Sequence, residues 1–194
     1  MAEAASPTVA LFGGSFNPPH VSHLLAATWA LSAVPVDRVL VVPVFKHPFA
    51  KELAPFDDRL EMCRLALGWV PGVEVSDVER RLGGESLTLR TVEHLAEAQP
   101  TWRLRLLIGA DVLADLPKWH RFDRIRELAP PIVLGRAGVD DARAPAAFLP
   151  QVSSTEVRAA LGNGDVEAVR GRVPAAVIDY AVRCGLYQQR RAGS

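Results

Sequence analysis

The chain has 194 residues, 49% of them hydrophobic, and its 22 Lys+Arg balance its 22 Asp+Glu. This length and composition favour one domain over residues 1–194 with one sizeable core. The balanced charge argues against a nucleic-acid or membrane-surface binder, because such partners attract an excess of Lys and Arg. No apolar run approaches the roughly 20 residues that span a bilayer. We expect residues 1–7 and 188–194 to be flexible tails.

The cysteines and the first residues of the chain indicate a compartment. Cys63 and Cys184 are the only two cysteines. Both lie in apolar helical patterns, so we expect reduced, buried thiols rather than a disulfide or a metal pair. The first residues lack the basic and apolar regions of a secretion signal. These features favour the cytoplasm.

Five apolar runs along the chain predict strands. They lie at residues 9–12, 38–44, 73–75, 102–108 and 131–135. The run at 38–44 is rich in β-branched residues with little alternation, which is typical of a strand covered on both faces. The segments between them predict helices, so the strands are expected to form a parallel sheet. The predicted fold is therefore α/β, a Rossmann-like doubly wound sheet of about five strands with a C-terminal helical segment.

Helical periodicity, capping residues and prolines locate the predicted helices. They lie at residues 24–31, 57–67, 87–98, 113–116 and 125–128, from 153 onwards, and between 174 and 185. Residues 77–85 are predicted to be a polar connection, and 138–150 a surface loop. Asp111 is expected to cap the helix that follows the fourth strand.

The first strand leads into a glycine turn and then a helix start with two histidines. Gly13 and Gly14 let the backbone approach a ligand closely, and a helix N-terminus offers N–H donors to an anion. His20 and His23 are three residues apart, so they share a helix face and can both point at one anion. By itself this pattern leaves an ordinary turn and a phosphate site equally open.

Two further segments strengthen the phosphate interpretation. If the strand order is 3-2-1-4-5, ligands are expected between the first and fourth strands, and Gly109-Ala110-Asp111 follows the fourth. Ser153-Ser154-Thr155 places hydroxyl groups in the first turn of another helix, with Arg158 close behind. Either ordinary capping or anion binding would explain that segment alone.

These segments together resemble a known family. Gly13 to His23 is similar to the signature of the nucleotidylyltransferase superfamily, and its Asn-Pro-Pro-His form resembles the nicotinate mononucleotide adenylyltransferases. Ser22 stands where the signature has glycine, and we expect weaker packing there without loss of the site. Gly109 to Asp111 resembles the family's Gly-x-Asp. Val152 to Arg158 resembles its Ile-Ser-Ser-Thr-x-x-Arg.

The resemblance implies roles for individual residues. The residues implied in catalysis are His20, His23, Lys51 and Arg158. Those implied in ATP binding are Gly13, Gly14, Ser15, Phe16, Gly109, Asp111, Ser153, Ser154 and Thr155. Those implied in binding the nicotinate nucleotide are Asn17, Lys46, Thr88 and Trp119. Either Lys46 or Lys51 could be the lysine that contacts phosphate, and Leu87 stands where the family commonly has tyrosine.

The implied reaction is transfer of AMP from ATP to nicotinate mononucleotide, a step of NAD synthesis, by direct displacement without a covalent intermediate. The attacking phosphate is already ionised near neutral pH, so the site must align two polyanions and stabilise charge. Mg²⁺ is implied as the companion of ATP, without a cage of protein ligands. Another acceptor, such as phosphopantetheine, glycerol phosphate or nicotinamide mononucleotide, remains an alternative, as does a catalytically silent nucleotide-binding module. The oligomeric state stays open.

Overall fold

The computed structural model describes residues 6–47, 52–138, 142, 145, 146 and 149–188. Each of its strands overlaps one predicted run, although β1 and β4 extend beyond the predicted ends. They are β1 (Thr8–Gly14), β2 (Arg38–Pro43), β3 (Val73–Val75), β4 (Arg103–Gly109) and β5 (Pro131–Leu134). The predicted tails lie mostly outside the described residues. Ser6, Pro7 and Gln188 are described, and the carbonyl oxygen of Pro7 accepts a hydrogen bond from Arg103 N–H at 2.9 Å.

Seven α-helices are described. They are α1 (Val21–Ala33), α2 (Phe56–Leu67), α3 (Val78–Leu82), α4 (Thr88–Ala98), α5 (Phe122–Leu128), α6 (Ser154–Gly162) and α7 (Ala175–Arg183). Short 3₁₀ helices occupy Ala110–Val112, Leu116–Lys118 and Glu167–Val169. Within these described ranges, no helix has the length and apolar character that a membrane span requires.

The strands form one sheet in the order β3-β2-β1-β4-β5, and every pair is parallel. The predicted doubly wound fold is confirmed. The pairing of β1 with β4 runs from Thr8↔Arg103 to Leu11↔Leu106, although the two strands continue to Gly14 and Gly109. Their last three residues are therefore unpaired with each other, and a crevice opens where the strand order reverses.

Both faces of the sheet are covered, as the unbroken apolar run at 38–44 predicts. Successive residues of a strand point to opposite faces. Ala10 and Phe12 of β1 accordingly belong to one buried cluster, and Val9 and Leu11 to the other. The first cluster includes α1, α2, α6 and α7, and the second includes α4 and α5. This two-sided packing fixes the strand ends that border the crevice.

Three predicted details are wrong. The polar connection 77–85 contains α3, because Val78 and Glu79 are buried and hold that turn against the sheet. Asp111 does not cap a helix, since it lies inside the 3₁₀ helix Ala110–Val112, and that helix replaces the predicted helix 113–116 together with Leu116–Lys118. Both cysteines are free, as predicted, but only Cys63 is buried. Cys184 is exposed, because it follows the last residue of α7.

Candidate active site

Two histidines stand at the start of α1, on one side of the crevice. His20 is the residue before the first helical turn and is 5% exposed. Its backbone N–H donates a hydrogen bond to Nδ1 of His23 at 3.0 Å, and the two ring centroids are 3.9 Å apart. Since Nδ1 of His23 accepts, the neutral ring carries its proton on Nε2. His23 therefore offers a donor on the ring edge opposite that helix cap.

The environment keeps both imidazoles uncharged. Burial, followed by the nearby positive charge of Arg136, lowers the pKa of His20 to about 4. Burial, His20 and Arg136 together hold the pKa of His23 well below its usual 6.5. The Nδ1 atom of His20 is buried and has no hydrogen-bond partner among the described residues. The His20 side chain also faces the His23 backbone N–H at the start of α1. A buried ring atom without a full hydrogen bond requires an explanation, and a bound ligand is one.

The backbone amides at the start of α1 are less available than the sequence predicts. The N–H of Val21 donates to the carbonyl oxygen of Arg172 at 2.9 Å, and that of His20 is taken by His23. Free amides at a helix start would otherwise attract an anion. In this helix the two imidazoles are therefore the main groups that can face a phosphate.

The glycine turn is shaped by the ring of Phe16. Phe16 has a φ of 45°, in the left-handed region that non-glycine residues rarely adopt. Its buried ring lies 4.8 Å from the His23 ring and 5.5 Å from the Phe12 ring, between centroids. A Cβ at Gly14 would lie 3.2 Å from the same ring. The Phe16 ring thus packs against His23. A side chain at position 14 would require the Phe16 ring to shift.

Asn17 joins this turn to α6. Its backbone carbonyl oxygen accepts a hydrogen bond from Arg158 Nη1 at 2.8 Å, and Arg158 Nη2 donates to Thr155 Oγ1 at 3.2 Å. Ser154 Oγ donates to the carbonyl oxygen of Pro18 at 3.2 Å. The Ser153 hydroxyl accepts from Glu156 N–H at 3.5 Å and so caps the start of α6. The structure therefore brings the first motif and the Ser-Ser-Thr motif into direct contact.

Asp111 lies at the other side of the crevice, after β4. Arg136 Nη1 donates to Asp111 Oδ2 at 2.9 Å, and Arg136 Nη2 donates to the carbonyl oxygen of Val152 at 2.7 Å. A Cβ at Gly109 would collide with Asp111 Oδ1. Arg136 therefore links the Gly109–Asp111 segment to Val152, the residue that precedes Ser153.

Arg136 and Arg59 are functional candidates that sequence reasoning missed. Arg136 follows β5, and its charge acts on both histidines. Arg59 is 1% exposed, and it donates to the carbonyl oxygens of Ser15 at 3.0 Å and Ala54 at 2.9 Å. A sequence signal did exist for Arg136, since it follows β5, and β5 pairs with β4, the strand that borders the crevice. For Arg59, inside a helix, the sequence offered none.

The residues implied in binding the nicotinate nucleotide are more dispersed. The N–H of Lys46 donates to Ser86 Oγ at 3.1 Å, which places the loop after β2 next to Thr88 at the start of α4. Trp119 is half-buried and packs edge-on against Phe122, with 6.1 Å between centroids. None of the described contacts joins it to the histidines. Lys51 lies outside the described residues.

Comparison with known proteins identifies a family whose model covers all three of these segments. The family model described as cytidylyltransferase-like matches residues 11–160. A protein of Anaeromyxobacter dehalogenans (strain 2CP-C) is 53% identical over 93% of this chain and 96% of its own length. A protein of Myxococcus xanthus (strain DK1622) is 42% identical over 94% of this chain and 96% of its own length. Both relatives are named probable nicotinate-nucleotide adenylyltransferases.

Solved structures agree on the fold. The nicotinic acid mononucleotide adenylyltransferase of Plasmodium falciparum, complexed with NaAD, has a TM-score of 0.81 to this chain, with 18% identity over 93% of this chain and 97% of that one. The chain belongs to the cytidylyltransferase-like family. Within that family it groups with the nicotinate-nucleotide adenylyltransferases.

Proposed function

We propose that this protein transfers AMP from ATP to nicotinate mononucleotide and releases nicotinate adenine dinucleotide and pyrophosphate. The observation that carries the proposal is the His20–His23 pair, joined by a 3.0 Å hydrogen bond. His23 packs against Phe12 and Phe16 at the end of β1, where β1 is no longer paired with β4. Relatives at 53% and 42% identity, which span nearly the whole chain, support the choice of substrates.

The proposed reaction is a single in-line displacement. A phosphate oxygen of the mononucleotide forms a bond to the α-phosphorus of ATP, while the bond from that phosphorus to the bridging oxygen of the β-phosphate breaks. The electron pair leaves with pyrophosphate, so no protein nucleophile is needed. Such a reaction depends on alignment of the substrates and on stabilisation of charge.

The described side chains can perform those tasks. His23 would donate from Nε2 to the α-phosphate, and His20 would lie beside it on the same face. Arg158, with Ser153, Ser154 and Thr155, would meet the β- and γ-phosphates at the start of α6. A bound polyanion favours the protonated imidazole, so ATP would raise the pKa of His20, whose Nδ1 has no hydrogen-bond partner among the described residues. His23 would stay neutral, because its Nδ1 accepts from the His20 backbone N–H.

Asp111 suits the ribose of ATP. One carboxylate oxygen is held by Arg136, and Asp111 is exposed to solvent. The other oxygen, Oδ1, is therefore available to accept from ribose hydroxyl groups. Asn17, Lys46, Thr88 and Trp119 are proposed to contact the nicotinate nucleotide, and Lys51 remains a proposed phosphate ligand.

Mg²⁺ is proposed to enter as the complex with ATP. Among the described residues, no group of three or more His, Cys, Asp or Glu is arranged to hold a metal ion. The ion prefers phosphate oxygens and water, which a triphosphate in this crevice would supply. We also propose that the enzyme acts in the cytoplasm, which the two free thiols support.

An acceptor panel tests the proposal. The purified protein is incubated with ATP or CTP and one acceptor at a time, and pyrophosphate release is followed. The acceptors are nicotinate mononucleotide, nicotinamide mononucleotide, phosphopantetheine and glycerol phosphate. We expect the highest kcat/KM with ATP and nicotinate mononucleotide. A preference for another pair would assign a different transfer reaction, and ATP binding without release on any acceptor would indicate a silent nucleotide-binding module.

A further inference from the structure

The segment after α7 returns to the glycine turn. Gly185, with a φ of 63°, ends the helix, and Leu186 N–H donates back to the carbonyl oxygen of Ala181 at 2.9 Å. This reversal is typical of a helix that ends at a left-handed glycine. It turns the chain so that Tyr187 points into the protein, where it packs against the cluster that contains Phe16.

Tyr187 makes one hydrogen bond to the active-site turn. Its hydroxyl donates to Asn17 Oδ1 at 3.0 Å, across 170 positions of sequence. Burial raises the pKa of the Tyr187 phenol, so the group stays protonated and can donate at any ordinary pH. The carbonyl of Tyr187 lies so close to Gly162 that a Cβ there would be 2.7 Å from the oxygen. The position of Tyr187 is therefore fixed from α6 as well.

The orientation of the Asn17 amide follows from its partners. Oδ1 also accepts the backbone N–H of Ala54 at 3.1 Å. A backbone N–H can only donate, so the oxygen of the amide must face Ala54 and Tyr187. With both lone pairs of Oδ1 used, the Nδ2 hydrogens point the other way, and no described residue accepts a hydrogen bond from them. Nδ2 is thus the part of this side chain that is left for a ligand.

We propose that Tyr187 is a positioning residue for the nicotinate nucleotide: its hydroxyl holds Asn17 so that Nδ2 is presented to that substrate. The inference rests on the proposed function, because it takes Asn17 to contact the mononucleotide. Tyr187 lies beyond the residues 11–160 that match the family model. The C-terminal segment would then help to position an active-site residue in addition to packing against the hydrophobic core.

Two matched variants distinguish a role of Tyr187 in positioning Asn17 from a role in attaching the C-terminal segment to the rest of the protein. Tyr187→Phe removes only the hydroxyl. Tyr180→Phe is the control, because the Tyr180 hydroxyl donates to Asp58 Oδ1 at 2.8 Å and also ties the C-terminal segment to α2, away from Asn17. Each variant loses one hydroxyl hydrogen bond to oxygen, and Tyr187→Phe also loses a weak 4.0 Å bond to Met62 Sδ. Both are expected to lower Tm by about 2–4 °C.

The kinetic result should differ between the two variants. We expect Tyr187→Phe to raise KM for nicotinate mononucleotide about fivefold to tenfold, with KM for ATP changed less than about twofold. Tyr180→Phe should leave both constants near the wild-type values. Adding Tyr187→Phe to Asn17→Ala should change nothing further, because the partner is already absent. Wild-type kinetics in Tyr187→Phe, equal losses in both tyrosine variants, or additive effects with Asn17→Ala would overturn the proposal.

A spectroscopic measurement makes the inference independent of activity. The side-chain amide signals of Asn17 in a ¹H–¹⁵N spectrum should shift in Tyr187→Phe and stay in place in Tyr180→Phe. They should also shift when nicotinate mononucleotide is added to the wild type. If the wild type forms no dinucleotide, the proposed function fails, whereas unchanged Asn17 signals in Tyr187→Phe contradict the role of Tyr187 itself.

Discussion

The hydroxyl of Ser22 donates a hydrogen bond to the carbonyl oxygen of Pro150 at 3.0 Å. Ser22 is 4% exposed, in the first turn of α1, and Pro150 lies four residues before the start of α6. The bond joins α1 to the segment that leads into α6, and the first turns of these two helices carry the residues proposed to bind phosphate. Where the family signature has glycine, this chain therefore has a buried hydrogen bond rather than the expected weaker packing.

Removal of that hydroxyl should lower stability and leave turnover largely intact. We expect Ser22→Ala to reduce the free energy of unfolding by about 1 kcal/mol, the net worth of one hydrogen bond. Ser22→Gly should reduce it by about 1–2 kcal/mol, because glycine also disfavours a helix. Urea unfolding measures both. Ser32→Ala is the control, since its hydroxyl donates to the carbonyl oxygens of Thr28 and Trp29, both within the same helix. A Ser22→Ala protein as stable as the wild type would contradict this role.

The capping role of His23 can be separated from its role toward phosphate. Asparagine keeps an acceptor near the position of Nδ1 and lacks the donor at Nε2. We therefore expect His23→Asn to fold like the wild type and to lose about 10²–10³-fold in kcat, with the Kd for ATP changed only a few-fold. The control is His94→Asn, in α4. Turnover that survives in His23→Asn would remove His23 from the catalytic assignment.

The depressed histidine pKa values predict a pH dependence of the unliganded protein. The imidazole signals of His20 and His23 should not titrate between pH 6 and pH 8, because His20 has a pKa of about 4 and that of His23 lies well below 6.5. NMR of the imidazole protons measures this directly. Addition of ATP should move the titration of His20 to higher pH, whereas His23 should stay neutral because its Nδ1 accepts from the His20 backbone N–H. A midpoint near 6.5 in the free protein would contradict the assigned environment.

The lowered pKa of His20 also makes the folding stability depend on pH. At pH above 6.5 both the folded and the unfolded states carry neutral His20. As the pH falls towards 4, the unfolded state takes up the proton first, so folding stability is lost in that window. The pKa change of His20 from 6.5 to about 4 corresponds to up to about 3 kcal/mol. His20→Gln should lose correspondingly less stability between pH 7 and pH 4.5 in urea unfolding, and an identical pH dependence would refute the link.

Arg136 should act on ATP through Asp111. We expect Arg136→Gln to raise KM for ATP about tenfold, because it removes a charge-assisted hydrogen bond to Asp111 and the bond to Val152. It should also reduce the preference for ATP over 2′-deoxy- and 3′-deoxy-ATP. Arg105→Gln is the matched control, since Arg105 also donates to a carbonyl oxygen, that of Pro130 at 2.9 Å, at the other end of the sheet. Equal effects of the two substitutions would argue against the role of Arg136.

The sequence was sufficient for the sheet and for the location of the site. The unbroken apolar run at 38–44 predicted a strand buried on both faces, and the helical segments between five candidate strands predicted a parallel sheet. Glycine turns after β1 and β4 indicated where the strand order reverses. Local signals of this kind depend on residues close in sequence. His20 and His23, three residues apart, belong to the same class, and the structure places their rings side by side.

Contacts between distant segments could not be predicted in this way. Tyr187 meets Asn17 across 170 positions, and Ser22 meets Pro150 across 128. Neither residue carries a pattern that distinguishes it from a surface tyrosine or an ordinary helical serine. The burial of Arg59 likewise arises only when α2 packs under the glycine turn. Such residues become visible only from the packing of the elements.

The most direct test follows the α-phosphate of ATP. The purified protein is incubated with ATP radiolabelled at that phosphate, Mg²⁺ and nicotinate mononucleotide, and the products are separated by chromatography. We expect the label in nicotinate adenine dinucleotide, one pyrophosphate released for each dinucleotide formed, and almost no product with His23→Asn. Label that remains in ATP, or that appears in free AMP without dinucleotide, would contradict the proposed transfer.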